Sequence, residues 1–371
     1  MGAVEREWVS AGPAAPHGSR RCQGLYVRPA GTTRPRVAFV AAHYEVDFSE
    51  HYLGPLLAER GFGFLGWNTR YRGEDAFFRL DRALDDVGTG VRWLRESAGA
   101  EVLVLLGNSG GGSLMAAYQA SAVADRAPEA ATGDDPGRAP EPAGERPPGD
   151  LYVSVNAHPG RPEVLTAWLD PSVLDEADPL SRDPALDMFE PRHGPPYAPD
   201  FVARYRAAQV ARNHRITAWA RAERERLAAG GARDRLFTVH RAWADLRFLD
   251  LTIDPSDRAT GCYAGDPERA NRGPWGLART CSLRGWLEMW SLEASRCRSA
   301  LHLPAVTVPA LVVQSLADRG VFPSDARAIH DALGTPPGDR RLELVPGGHY
   351  FEDGTADAAA DLIAAWVAER T

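Results

Sequence analysis

Val102-Leu103-Val104-Leu105-Leu106-Gly107-Asn108-Ser109-Gly110-Gly111-Gly112-Ser113 joins an apolar run to a glycine-rich turn. Its first five residues are wholly apolar, as expected of a short strand buried on both faces. Gly107 to Gly111 then match G-x-S-x-G, and small residues continue to Ala124 in a pattern that suits a closely packed helix. The pattern alone is weak. Its context, a strand before and a helix after, is what a sharp turn presenting a serine hydroxyl requires. The glycines leave room for neighbouring chain, and the turn puts Ser109 Oγ at the C-terminal edge of the sheet. The bland alternative is a Gly-rich turn whose serine caps a helix.

On either side, strands are expected at Gly24–Arg28, Arg36–Ala42, Gly63–Asn68 and Leu151–Asn156. Helices are expected at Ser49–Arg60, at Gly111–Ala124 and around Leu80, Leu84, Val87, Val91 and Leu94, whose +4, +3 spacing marks one helical face. After a break the rhythm resumes: a strand over Val306–Gln314, a helix over Ser324–Leu333, a strand over Arg341–Val345 and a helix over Thr355–Glu369. Such alternation argues for an α/β fold with a mostly parallel sheet flanked by helices. Arg126–Asp150, rich in Pro, Gly, Ala and charge, reads as a flexible surface loop. From His158 to Leu303 the character changes. A long helix is expected over Pro199–Ala229, with Phe201, Tyr205, Ala208, Ile216 and Trp219 on one face, and six of the ten tryptophans fall in this stretch. The division is therefore 1–157 for the first part of the core, 158–304 for an inserted, mainly helical cap and 305–371 for the second part.

A serine hydroxyl needs a base. Here the chain resembles the α/β-hydrolase superfamily, in its serine-hydrolase branch, over Gly24–Asn156 and Val306–Thr371. The resemblance implies the chain order serine, acid, histidine. This sequence supplies Ser109, then Asp318 in Gln314-Ser315-Leu316-Ala317-Asp318, then His349 in Pro346-Gly347-Gly348-His349. Each follows an apolar strand, so all three should meet at one sheet edge. Some relatives carry the acid after the preceding strand, where Glu163 or Asp170 would serve. The resemblance also implies two backbone amides that hold a developing oxyanion. Gly110 should give one. The other should come from His43-Tyr44-Glu45, where relatives often carry His-Gly, so Tyr44 and Glu45 are both candidates. His43, His158 and Trp168 are candidates for substrate contact; for His158 a structural hydrogen bond, and for Trp168 packing inside the cap, are the alternatives. Arg70-Tyr71-Arg72-Gly73 resembles the family's structural Arg-Gly turn. His51, His214 and the arginines of Pro199–Ala229 read as ordinary.

Composition excludes other chemistries. The 371 residues include no lysine; all 42 basic side chains are arginine. This removes Schiff-base chemistry, pyridoxal anchoring and a phosphate-binding P-loop lysine. Net charge is −8, without a basic stripe, which speaks against nucleic acid as a partner. No apolar run reaches the roughly 20 residues of a membrane span, and the first 21 residues lack the apolar core of a secretory signal. Cys22, Cys262, Cys281 and Cys297 are too far apart for paired metal or redox motifs. The expectation is a cytoplasmic serine hydrolase without metal or organic cofactor. It would cleave an ester, lactone or thioester of a partly apolar small molecule. A homodimer through an exposed apolar face of the cap is left open. A peptidase or carbon–carbon bond hydrolase of the same fold, an acyltransferase and a catalytically silent binding scaffold are the alternatives.

Overall fold

The computed structural model describes residues 3–14, 20–124, 144–352 and 354–371. Strands β1 (Val4–Ala14), β2 (Arg20–Pro29), β3 (Val37–His43), β4 (Gly63–Asn68), β5 (Val102–Asn108) and β6 (Leu151–Val155) form most of one eight-stranded sheet. Helices α1 (Leu53–Glu59), α2 (Leu80–Glu96) and α3 (Gly111–Val123) connect them. Between β6 and the next sheet strand the chain forms α4 (Arg161–Trp168), a hairpin of β7 (Val173–Asp175) and β8 (Asp178–Arg182), and the long α5 (Pro199–Ala229). There follow β9 (Leu236–Thr238), α6 (Pro267–Asn271), β10 (Thr280–Ser282), which pairs with β9, and α7 (Leu283–Gly285), which runs into a π turn over Trp286–Trp290. Strand β11 (Ala310–Ser315), α8 (Pro323–Ala332), β12 (Arg340–Val345) and α9 (Ala356–Ala368) complete the chain. The sheet order is β1-β2-β4-β3-β5-β6-β11-β12. The six strands from β4 to β12 run parallel; β1 and β2 are antiparallel additions at one edge.

The apolar runs are explained by burial on both faces. Along β5, Leu103 and Leu105 pack with Leu84, Val87 and Val91 of α2 on one side, and Val104 and Leu106 pack with Leu57 of α1 and Ile363 of α9 on the other. Each such side chain stabilises the fold by roughly 1.5–3 kcal/mol. The register brings the C-terminal ends into line: Asn108 lies beside Val155, Val155 beside Val313, and Ser315 beside Val345. Every loop that follows these ends therefore opens on one edge.

Several expectations need correction. Strand β1 is unexpected: it lies at the sheet edge, with Val9 alone of its described side chains buried, and so lacks an apolar pattern. The helix expected from Ser49 begins at Leu53, because Asp47 and His51 hold the preceding residues in turns. The strand expected from Val306 begins at Ala310. On α5, Trp219 is 39% exposed, and the buried stripe includes the polar Gln209, Arg212, Asn213 and Thr217. Arg212 is fully buried against Glu176 and so does not belong to a solvated face. Of the loop expected over Arg126–Asp150, residues 126–143 lie outside the described residues. Its described end is tied down by Arg146 on Asp85 and by Asp150, which accepts from the Leu103 amide. Arg70 does clamp its turn onto α2 through both carboxylate oxygens of Asp86. All four cysteines are buried thiols. No described helix is long and apolar enough to cross a membrane.

Candidate active site

Ser109 stands between β5 and α3 with φ +55°, the left-handed region that a non-glycine residue adopts only when its surroundings enforce it. Two things enforce it here. Its amide donates to Val155 O at 3.2 Å and Asn156 O at 3.1 Å. The turn is also so tight that a side-chain carbon on Gly107 would lie 2.6 Å from Gly112 Cα. Asn108 is fixed as well: its Nδ2 donates to Val155 O at 2.8 Å, and its Oδ1 faces His51 Nε2 at 3.1 Å. His51 Nδ1 accepts from the Leu53 amide, so its proton sits on Nε2 and the ring donates to Asn108. Burial lowers its pKa to about 4, which keeps the ring neutral.

His349, on the loop after β12, and Asp318, on the loop after β11, form a buried pair with Nδ1 and Oδ2 2.6 Å apart. Asp318 Oδ1 accepts three further hydrogen bonds, from Tyr263 Oη at 2.8 Å and from the amides of Gly320 at 2.9 Å and Val321 at 3.1 Å. Tyr263 Oη also lies 2.8 Å from His349 Nδ1. Its own pKa is raised, by burial first and then by Asp318, so the hydroxyl stays a donor. His349 Nε2 is buried and has no partner among the described residues, and Ser109 Oγ is not hydrogen-bonded to it.

Asn156 joins the three strand ends. Its amide donates to Val313 O, its side chain donates to His349 O at 2.9 Å and accepts from the Ser315 amide at 2.7 Å, and its own carbonyl accepts from Ser109. It too has a positive φ, +44°, which asparagine tolerates better than most residues. The structure thus brings Ser109, Asp318 and His349 to one edge with a single buried residue bonded across it.

The other expected residues divide. His158 is buried, its amide donates to Ser109 O at 3.1 Å, and its ring centroid is 6.4 Å from that of His349. Burial above all pushes its pKa well down. Trp168 stacks on Trp243 at 4.8 Å and meets His158 and Tyr263 edge to face. The Tyr44 hydroxyl is taken up by Ser113 Oγ at 3.0 Å, inside the core. Glu45 is engaged by its carboxylate, with Oε1 2.5 Å from Arg161 Nη2 and Oε2 3.3 Å from His43 Nδ1. Burial raises its pKa, but Arg161 and then His43 outweigh that and bring it down to about 2. The alternative acids are used elsewhere: Glu163 pairs with Arg298 and Asp170 with Arg241.

Asn156, Tyr263 and Arg161 escaped the sequence reading. Asn156 offered a signal, since it follows a strand end just as Ser109 does. Arg161 is one arginine among 42, and Tyr263 lies in a stretch without periodicity.

No family model matches the chain, and no curated protein matches it. Among solved structures, the DcsB complex with its substrate analogue is similar at 11% identity over 98% of this chain and 99% of that one, with a TM-score of 0.55. The alpha/beta hydrolase GrgF from Penicillium sp. sh18 is similar at 11% identity over 98% of both chains, TM-score 0.52. Est1E from Butyrivibrio proteoclasticus is similar at 11% identity over 97% and 98%, TM-score 0.50. Together with the sheet order and the turn at Ser109, these likenesses give the chain the α/β-hydrolase fold.

Proposed function

We propose that this protein is a serine hydrolase that cleaves an ester, lactone or thioester of a partly apolar small molecule. The observation that carries the reading is the buried 2.6 Å pair of Asp318 and His349 on the sheet edge that also holds the left-handed Ser109. His349 Nε2 takes the Ser109 proton as Oγ attacks the carbonyl, and Asp318 keeps the His349 proton on Nδ1 and stabilises the imidazolium that forms. The Gly110 amide faces the oxyanion: as the residue before α3 it has no intrahelical acceptor. The alcohol or thiol leaves with the proton from His349, and water activated by the same nitrogen releases the acyl group. Residues 158–304 act as the cap, with Trp168 and Tyr263 forming an aromatic surface beside His349. The chemistry calls for no metal or organic cofactor.

The test is a panel of acyl esters, lactones, thioesters and anilides, with Ser109→Ala as the blank. Turnover of an oxygen or sulfur ester that vanishes in Ser109→Ala supports the reading. Equal rates in the two proteins contradict it.

A further inference from the structure

The loop after β3 lacks the glycine that usually frees a second oxyanion amide, and the structure shows what that amide does instead. The Glu45 and Val46 N–H groups both point at His43 Nδ1, at 3.4 and 3.2 Å. A ring nitrogen that accepts carries no proton, so neutral His43 bears its proton on Nε2. Burial lowers the His43 pKa more than Glu45 raises it, which keeps the ring neutral.

That Nε2 lies against the residue after the nucleophile. A side-chain carbon on Gly110 would sit 2.6 Å from His43 Nε2 and 2.7 Å from Arg161 Nη1. The two nitrogens share the space above Gly110 because no side chain occupies it. Arg161 is 2% exposed and held from its other side: Nη2 bonds Glu45, and the guanidinium lies 4.5 Å from the Trp290 ring and 5.4 Å from the Tyr44 ring. Neither Arg161 Nη1 nor His43 Nε2 has an acceptor among the described residues, and Arg161 Nε has none either. His43 Nε2 and Arg161 Nη1 are therefore free to donate to an oxygen arriving beside Gly110.

We propose that His43 Nε2–H and Arg161 Nη1–H stand in for the second backbone amide, so that two side chains and the Gly110 N–H together hold the tetrahedral oxyanion. This rests on the serine-hydrolase reading. Glu45 is the positioning residue: its Oε1 accepts from Arg161 Nη2, and its backbone N–H donates to His43 Nδ1. It also sets the kind of charge the site accepts. Glu45 balances Arg161, and Asp75, its pKa raised to about 7 by burial and then by Glu45, is neutral below that pH and adds no negative charge there. The site suits negative charge that appears only in the transition state, not a carboxylate on the resting substrate.

The experiment compares wild type, Ser109→Ala, Arg161→Lys and Gly110→Ala on a short-chain nitrophenyl ester. It is paired with inhibition by an alkyl boronic acid, which forms a tetrahedral anion on serine. Arg161→Lys keeps the charge beside Glu45 but removes the fork. Gly110→Ala keeps every charge and displaces both donors. Thermal melting checks that each variant is folded. The expected result is a kcat lower by about 10²–10³ in both variants with little change in KM, and boronate affinity reduced by a similar factor. Folded variants with kcat within threefold of wild type, or with changed KM alone, would overturn the proposal. Ser109→Ala as active as wild type would overturn this proposal and the serine-hydrolase reading together; an inactive Ser109→Ala beside a normal Arg161→Lys would overturn this proposal alone.

Discussion

Replacing Asp318 by asparagine gives a sharp result because the surroundings dictate how the new side chain must sit. Oδ1 accepts from Tyr263 Oη and from the amides of Gly320 and Val321. Only an oxygen can remain there, since an amide nitrogen would face three donors. The oxygen of the introduced carboxamide therefore takes that position, and its NH₂ takes the place of Oδ2, 2.6 Å from His349 Nδ1. An NH₂ group donates, so His349 Nδ1 must accept and the ring proton moves to Nε2. That nitrogen then cannot take the Ser109 proton. The fold keeps its three bonds at Oδ1, so the loss should fall on turnover. In the Ser-His-Asp template the wrong tautomer lowers kcat by about 10⁴, or roughly 5.5 kcal/mol of transition-state stabilisation. Steady-state hydrolysis of a nitrophenyl ester reads this directly, with circular dichroism as the check on folding. A folded Asp318→Asn protein within tenfold of wild type would refute the tautomer argument and Asp318 as the acid.

Other outcomes follow from the same contacts. Tyr263→Phe removes one donor to a charged carboxylate, worth about 1.5 kcal/mol or more, so kcat should fall about tenfold with KM nearly unchanged; an effect on KM alone would make Tyr263 a pocket wall. Asn156→Ala leaves His349 O and the Ser315 amide without their buried partner, and urea unfolding should show a loss of about 2–4 kcal/mol together with reduced activity. Glu45 has a pKa below that of the unfolded chain, so the folded state binds fewer protons and stability rises with pH across that interval. The contribution is complete above about pH 4.5 and is lost as pH falls toward about 2. Glu45→Gln should flatten the stability profile in that window, and an unchanged acid limb would count against the buried Glu45–Arg161 pair.

The legible parts of this chain are those where one physical demand governs one residue type. Strands buried on both faces must be apolar, which makes β3, β5 and β11 readable; a tight turn before α3 must be glycine-rich, which makes the turn at Ser109 readable; and a parallel sheet aligns its strand ends, so Asp318 and His349, singled out by the chain order that the resemblance implies, lie on the edge that holds Ser109. Strand β1 is hidden because a sheet edge makes no demand on hydrophobicity. The stripe on α5 misleads because Arg212 and Gln209 are buried by pairing with partners distant in sequence, Glu176 and the carbonyls of Ala167 and Leu169. Arg161 and Tyr263 meet Glu45 and Asp318, partners distant in sequence, so no local spacing announces them. The absence of lysine makes this harder, since arginine fills every cationic position and the one beside Gly110 looks like the rest.

Covalent labelling distinguishes an activated Ser109 nucleophile from an ordinary serine. The folded protein is treated with a fluorophosphonate, its intact mass is measured, and the modified peptide is sequenced. A single adduct is expected on Ser109, absent in Ser109→Ala and much slower to form in His349→Ala. A folded wild-type protein that takes up no label, or one labelled at another residue and equally so in Ser109→Ala, would contradict it.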